Sequence, residues 1–274
     1  MARIIAKPRT KKPVMVMLHG SGSSGAILGI QTHSLAKELS KTFDLVFIDA
    51  PTPSEPGPGI LPLFANMPAY YRWLVPEDKP ASLRFAELFD VAYYIETQLA
   101  SQNIEPSQVA AFLGFSQGAL AALAMLAFRL IGHSAWKNLR FCVSLGAGTA
   151  GDTARMEGIR GMIGTLSATL GREDGKFPGY SVHASGLRDQ WYDDGKQIMR
   201  MCVGEKTKNI DYAEGHALPR QRRDVIKLTQ MIRNVDDASK APEKLTEKFR
   251  APLQDARSSL LNGTWQVEDG NWKM

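Results

Sequence analysis

Cysteine is scarce in this 274-residue sequence, which carries two, Cys142 and Cys202. That number cannot staple a secreted scaffold, and neither has a companion cysteine at metal-ligand spacing, so both read as small buried hydrophobes. Long apolar runs are also missing. The longest mostly apolar stretch, Val109 to Ile131, is broken by Gly114, Ser116, Gln117, Gly118 and Arg129, which argues against a membrane span. The basic N-terminus (Arg3, Lys7, Arg9, Lys11, Lys12) lacks the apolar centre and small-residue cleavage site of a signal peptide, so a cytoplasmic location is expected. Asn262-Gly263-Thr264 is then a chance sequon. Excess charge is modest at +5, which gives no ground for a nucleic-acid partner and suits an acidic protein partner better than a basic one. Histidine is scarce too, at five residues, and this shortens the search for a catalytic base.

With 44% hydrophobic and 22% charged residues, the composition is that of a globular protein. Short β-type runs are expected at Val14 to His19, Asp44 to Ala50, Val109 to Phe115, Arg140 to Leu145, Tyr180 to Ser185 and Asn209 to Ala213. Each is mostly apolar instead of strictly alternating, as suits strands covered by helices on both faces of a parallel sheet. Helices are expected at Ala26 to Ser40, Ser82 to Gln102, Gln117 to Ile131, Gly195 to Met201 and Gln221 to Asn234. The fold class predicted is α/β, a mostly parallel doubly wound sheet with a small lid or cap. Residues 1–237 read as a single domain and 238–274 as a C-terminal extension. Two segments interrupt the alternation. Pro51 to Pro80 is rich in proline yet carries Leu61, Phe64, Tyr70, Tyr71 and Trp73, which are expected to line a substrate pocket. Residues 152–175, with a helix expected over Met156 to Leu170, read as a lid or cap.

The stretch VMVMLHGSGSSGA spells G-x-G-x-x-G through Gly20, Gly22 and Gly25, with Asp49 ending the next apolar run. Those residues fit a dinucleotide-binding turn, or a loop that presents a backbone N–H to an oxyanion. The chain further on favours the second. Gly114-Phe115-Ser116-Gln117-Gly118 is G-x-S-x-G between a β-run and an apolar helix, where a sharp turn demands small residues two before and two after the serine. A serine hydroxyl needs a base, and the base needs an acid to orient it. His216 follows the last β-run, whereas His19 sits in the first loop, His33 and His133 in or at the end of helices, and His183 within a strand. Asp189 comes soonest after the preceding strand; Asp193 and Asp194 read as the N-cap region of the next helix. The catalytic assignment is therefore Ser116, Asp189 and His216, with the backbone N–H groups of Ser21 and Gln117 as oxyanion donors. Such a site needs no metal or organic cofactor.

The ordered set VMLHGSGSSGAI, IQTHSLAKEL, FDLVFIDAPTP, GFSQGA, YSVHASGLRDQW and EGHALP resembles the fungal family of serine hydrolases with the α/β-hydrolase fold. FIDAPTPSEPGPGILPLF together with AYYRWL is similar to its branch of stand-alone thioesterases encoded beside fungal polyketide synthases, in secondary metabolism and mycotoxin biosynthesis. The resemblance implies hydrolysis of an acyl thioester on an acyl carrier protein, to release or edit a polyketide chain. Small free esters are the alternative substrates. An acidic carrier surface would suit Arg220, Arg222 and Arg223, which closely follow His216.

Overall fold

The computed structural model describes residues 12–74, 81–240, 266–268 and 271–273. The basic N-terminal residues before Lys12 and most of the C-terminal extension lie outside the described residues. The elements in chain order are β1 (Val14–Leu18), α1 (Gly25–Gln31), α2 (His33–Leu39), β2 (Asp44–Ile48), β3 (Thr52–Pro53), β4 (Tyr71–Arg72), α3 (Ala81–Ser101), β5 (Val109–Phe115), α4 (Gln117–Leu130), β6 (Phe141–Leu145), α5 (Thr153–Thr169), β7 (Tyr180–Gly186), α6 (Tyr192–Arg200), β8 (Thr207–Tyr212), α7 (Arg222–Ala238), β9 (Gln266–Glu268) and β10 (Asn271–Lys273).

Six strands form one sheet in the order β2-β1-β5-β6-β7-β8, every neighbouring pair parallel. Parallel pairing requires a crossover between strands, and here the crossovers cover both faces with helices. The apolar runs show the consequence residue by residue. Val14, Val16 and Leu18 of β1 face one core, with α3, α4, α5 and α6, whereas Met15 and Met17 face the other, with α1, α2 and α7. Each full burial of such an aliphatic side chain contributes about 1.5–3 kcal/mol. Helix α4 is buried from Gly118 through Phe128, which explains why its sequence is apolar nearly all round.

Strand order reverses at β1/β5: β2 lies on one side of β1 while β5 and all later strands lie on the other. Loops leaving the carboxyl ends of β1 and β5 therefore diverge and open a crevice, the usual position of a ligand site in an open α/β sheet.

The expected helix over Ala26 to Ser40 is divided into α1 and α2 at Thr32. The Thr32 hydroxyl donates to the Leu28 carbonyl at 2.6 Å, back-bonding of the kind that bends a helix. The segment expected to cap the site carries α5. Helix α5 sends Met156, Ile159, Met162, Ile163 and Leu166 into the main core, and its Arg155 borders the crevice. Among the described residues no helix is long and apolar enough to cross a membrane.

Candidate active site

Ser116 occupies the junction of β5 and α4 with φ +54° and ψ −119°, a conformation that strains a residue with a side chain. The turn is held by the Ser116 N–H, which donates to Leu145 O at 2.8 Å. Its glycines are required by close backbone approach: a Cβ on Gly114 would lie 1.9 Å from Gly118 O, and one on Gly118 would lie 2.3 Å from Leu18 O. The elbow is thus pressed against the end of β1, and Gly20 in turn sits so close that a Cβ there would meet Ser116 Cβ at 3.3 Å.

The loops after β7 and β8 bring an acid and an imidazole to the serine. His216 Nε2 is 3.0 Å from Ser116 Oγ, and His216 Nδ1 is 2.8 Å from Asp189 Oδ2. Asp189 is buried, and its other carboxylate oxygen accepts the Trp191 N–H at 2.9 Å. Gly186 ends β7 where a Cβ would lie 2.2 Å from Gly215 O, so the two loops meet only because that side chain is missing. Phe115 and Trp191 flank the imidazole at centroid distances of 4.9 and 4.3 Å and limit its rotation.

Asp193 and Asp194 fall in the first turn of α6, whose N-cap is Trp191. Asp194 also accepts from the Thr149 N–H and hydroxyl at 2.9 and 2.8 Å, so from the first turn of α6 it ties the loop after β6 to that helix.

The glycine-rich stretch after β1 is a packed loop. Gly22 has φ +68°, and a Cβ there would lie 2.0 Å from Gly57 N, because the proline-rich segment crosses directly over it. Asp49 Oδ1 accepts the Gly25 N–H at 2.7 Å and so serves the start of α1. His19 is fully buried: its Nδ1–H donates to Gly20 O at 2.7 Å and its Nε2 accepts the Ala50 N–H at 2.9 Å. Burial lowers its pKa from 6.5 to about 4, against a smaller upward effect of the Gly20 carbonyl and Asp49. His183 is likewise pushed down to about 4 by burial, and His133 pairs with Glu96.

A cavity of about 800 Å³ opens beside Ser116 and His216. Of the aromatic and aliphatic residues expected in its wall, Phe64 lines it; Leu61, Tyr70, Tyr71 and Trp73 do not. A helical turn explains the first exception. Phe64 N–H bonds Ile60 O at 3.0 Å, so Ile60 and Phe64 share a side while Leu61 points out at 53% exposure. Tyr70 sits behind the wall with its hydroxyl on Phe64 O at 2.7 Å, and Tyr71 packs toward the main core. Trp73 is buried beneath the first loop, where its indole N–H donates to His19 O at 2.8 Å. The wall also includes Leu63 and Leu74 from the same proline-rich segment, and Ile30 of α1, Trp191 and Leu218 from elements distant in the chain.

Gln117 has a side-chain task that no motif announces. Its Oε1 accepts the N–H groups of Trp73 and Leu74 at 2.7 and 3.1 Å, which fastens the end of the proline-rich segment to the elbow. Its own N–H is the first of α4, a position with no intrahelical acceptor and at the positive end of the dipole. Ser21 lines the same cavity from the loop after β1. Arg220 is exposed at the cavity border, and Arg222 and Arg223 are exposed in the first turn of α7. Among the described residues no group of three His, Cys, Asp or Glu side chains is arranged to hold a metal ion.

Residues 9–228 match the family described as Serine hydrolase (FSH1). Among similar proteins, the esterase FUS5 of Gibberella moniliformis is 30% identical over 232 residues, covering 80% of this chain and 87% of that protein. The dihydromonacolin L-[lovastatin nonaketide synthase] thioesterase of Aspergillus terreus is 34% identical over 128 residues, 44% of this chain and 50% of that protein. Among solved structures, acyl-protein thioesterase 2 of Zea mays aligns with a TM-score of 0.53 at 19% identity, over 84% of this chain and 96% of that one. This last likeness is one of fold, the α/β-hydrolase fold.

Proposed function

Because the chain belongs to the serine hydrolase (FSH1) family, whose relatives here include esterases and thioesterases, we propose that it hydrolyses acyl thioesters through Ser116, His216 and Asp189. The observation that carries this reading is the continuous line of hydrogen bonds from Asp189 through His216 to Ser116, at 2.8 and 3.0 Å, at the edge of the cavity.

The chemistry follows from that line. Asp189 accepts the Nδ1–H of His216 and so leaves Nε2 free to take the Ser116 proton as Oγ attacks the thioester carbonyl. The N–H of Gln117, at the start of α4, and that of Ser21 hold the oxyanion, which gathers charge as the tetrahedral intermediate forms. The thiol departs with the proton that His216 returns. Water, deprotonated by the same imidazole, then frees the acid and restores Ser116. No step calls on a cofactor.

The substrate class proposed is a polyketide chain on the acyl carrier protein of a polyketide synthase. The lovastatin synthase thioesterase among the relatives supports it, and so does the largely apolar wall formed by Ile60, Leu63, Phe64, Leu74 and Leu218. Arg220, Arg222 and Arg223 are proposed to meet the acidic carrier. Arg222 and Arg223 are exposed at the positive end of α7, where a cation costs a few tenths of a kcal/mol and where Asp224 lies 3.5 Å from Arg223.

The test is intact-mass analysis of carrier-bound acyl thioesters mixed with the enzyme, beside matched simple esters and a Ser116→Ala control. Loss of the acyl group from the carrier, much faster than ester cleavage and absent with Ser116→Ala, is expected. Faster cleavage of the free esters would move the assignment to a carboxylesterase.

A further inference from the structure

The cavity wall contains polar atoms that the hydrolytic steps leave unused. Ser23 Oγ and Arg72 Nε are buried and have no hydrogen-bond partner among the described residues, and both residues line the cavity. Backbone pairing sets how they point. Tyr71 N–H donates to Ser23 O at 2.7 Å, Ser23 N–H donates back at 3.3 Å, and Arg72 is the next residue of β4. Ser23 and Tyr71, being directly paired, share one face of the ladder, whereas strand alternation sends Arg72 to the other face, toward the cavity. Among the described residues that line the cavity there is no Asp or Glu, so no carboxylate there offsets the guanidinium. Buried donors left unpaired are rare and destabilising, and when they border a cavity the natural completion is a ligand acceptor.

We infer that Arg72 forms an anion-recognition subsite, and that the preferred acyl chains carry a carboxylate remote from the scissile carbonyl. This rests on the thioesterase reading above. A guanidinium presents two parallel N–H donors to a carboxylate. The phosphate of a phosphopantetheine arm has the same anionic chemistry, but that arm enters from solvent, where exposed Arg220 stands at the border. Arg72, half buried with its Nε enclosed, shares its wall with Ile60 and Phe64, where the acyl chain would lie.

The experiment compares three thioesters: the octanedioic acid monothioester of N-acetylcysteamine, its octanoyl counterpart, and octanoyl-phosphopantetheine. The enzyme is expected to favour the carboxylated chain over octanoyl in kcat/KM. In Arg72→Gln that selectivity should fall roughly ten- to a hundredfold, the equivalent of one charge-assisted hydrogen bond. Arg72→Lys should recover part. Calorimetric binding of octanedioate to the Ser116→Ala protein, lost on adding Arg72→Gln, supplies a readout independent of turnover. No selectivity in the parent, or selectivity unaltered by Arg72→Gln, overturns the inference. An Arg72 dependence confined to octanoyl-phosphopantetheine overturns it in favour of a phosphate site. If no thioester is hydrolysed while octanedioate still binds through Arg72, the subsite stands and the thioesterase reading falls.

Discussion

Lowering the pH should unfasten the first loop of the site through His19. In the folded protein the tautomer is set by two backbone groups: Nδ1–H donates to Gly20 O, and Nε2 accepts from the Ala50 N–H. A proton added at Nε2 would oppose the Ala50 N–H donor and would place a charge where no water reaches. Hence burial lowers the pKa from 6.5 to about 4. As pH falls, the unfolded chain takes up the proton first, so the stabilisation is complete above about pH 6.5 and is lost progressively between there and about pH 4. The interval of about 2.5 pH units corresponds to about 3 kcal/mol, with a slope near 1.4 kcal/mol per pH unit. His183, also lowered to about 4 by burial, should add a similar amount. Urea unfolding of the parent and of His19→Gln, from about pH 7 to about pH 4, isolates the effect: the difference between the two should change by one proton's slope across the window. Parallel stability curves, or a His19 imidazole resonance that titrates near its ordinary value, would refute the argument.

Other consequences follow from the elbow and its surroundings. Ser116→Gly should be more stable than Ser116→Ala by about 1 kcal/mol, because glycine accepts φ +54° without strain; equal thermal midpoints would show that the turn is not strained. Gly118→Ala should cost roughly 3 kcal/mol or more, since its Cβ would lie 2.3 Å from Leu18 O and 2.5 Å from His19 O, and a thermal melt within error of the parent would contradict that packing. Gln117→Ala should cost about 1–3 kcal/mol and speed amide exchange at Trp73 and Leu74, which lose their acceptor; unchanged protection there would mean the tie is not made in solution.

The architecture was readable where a residue pattern has one physical meaning. Apolar runs such as Val109 to Phe115, separated by helical stretches, are accommodated by strands buried on both faces, and β5 spans those residues. Helix ends were less readable. Thr32 is an acceptable helix residue by propensity, and only its side-chain bond to Leu28 O marks the break between α1 and α2. Around the cavity the pattern failed for a related reason. Leu61 and Phe64 are equally apolar, but a helical turn within a proline-rich loop turns one to solvent and the other inward. Asp194 lies in the first turn of α6, as its place just before Gly195 indicated, but its bonds to Thr149, distant in sequence, were not readable.

The sequence by itself determined the class of fold, through hydrophobic periodicity, and the chemistry to look for, through a serine between required glycines followed by an acid and a histidine in loop positions. Those are local properties: a strained turn and a buried run impose their needs on neighbouring residues. The tertiary structure alone decided which side chains meet. That His216 Nε2 stands 3.0 Å from Ser116 Oγ, that Gln117 fastens the segment ending at Leu74, and that Ser23 and Arg72 share a cavity wall are outcomes of strand order and loop crossing. Contacts between residues far apart in the chain depend on how every intervening element packs, and no short stretch of sequence contains that information.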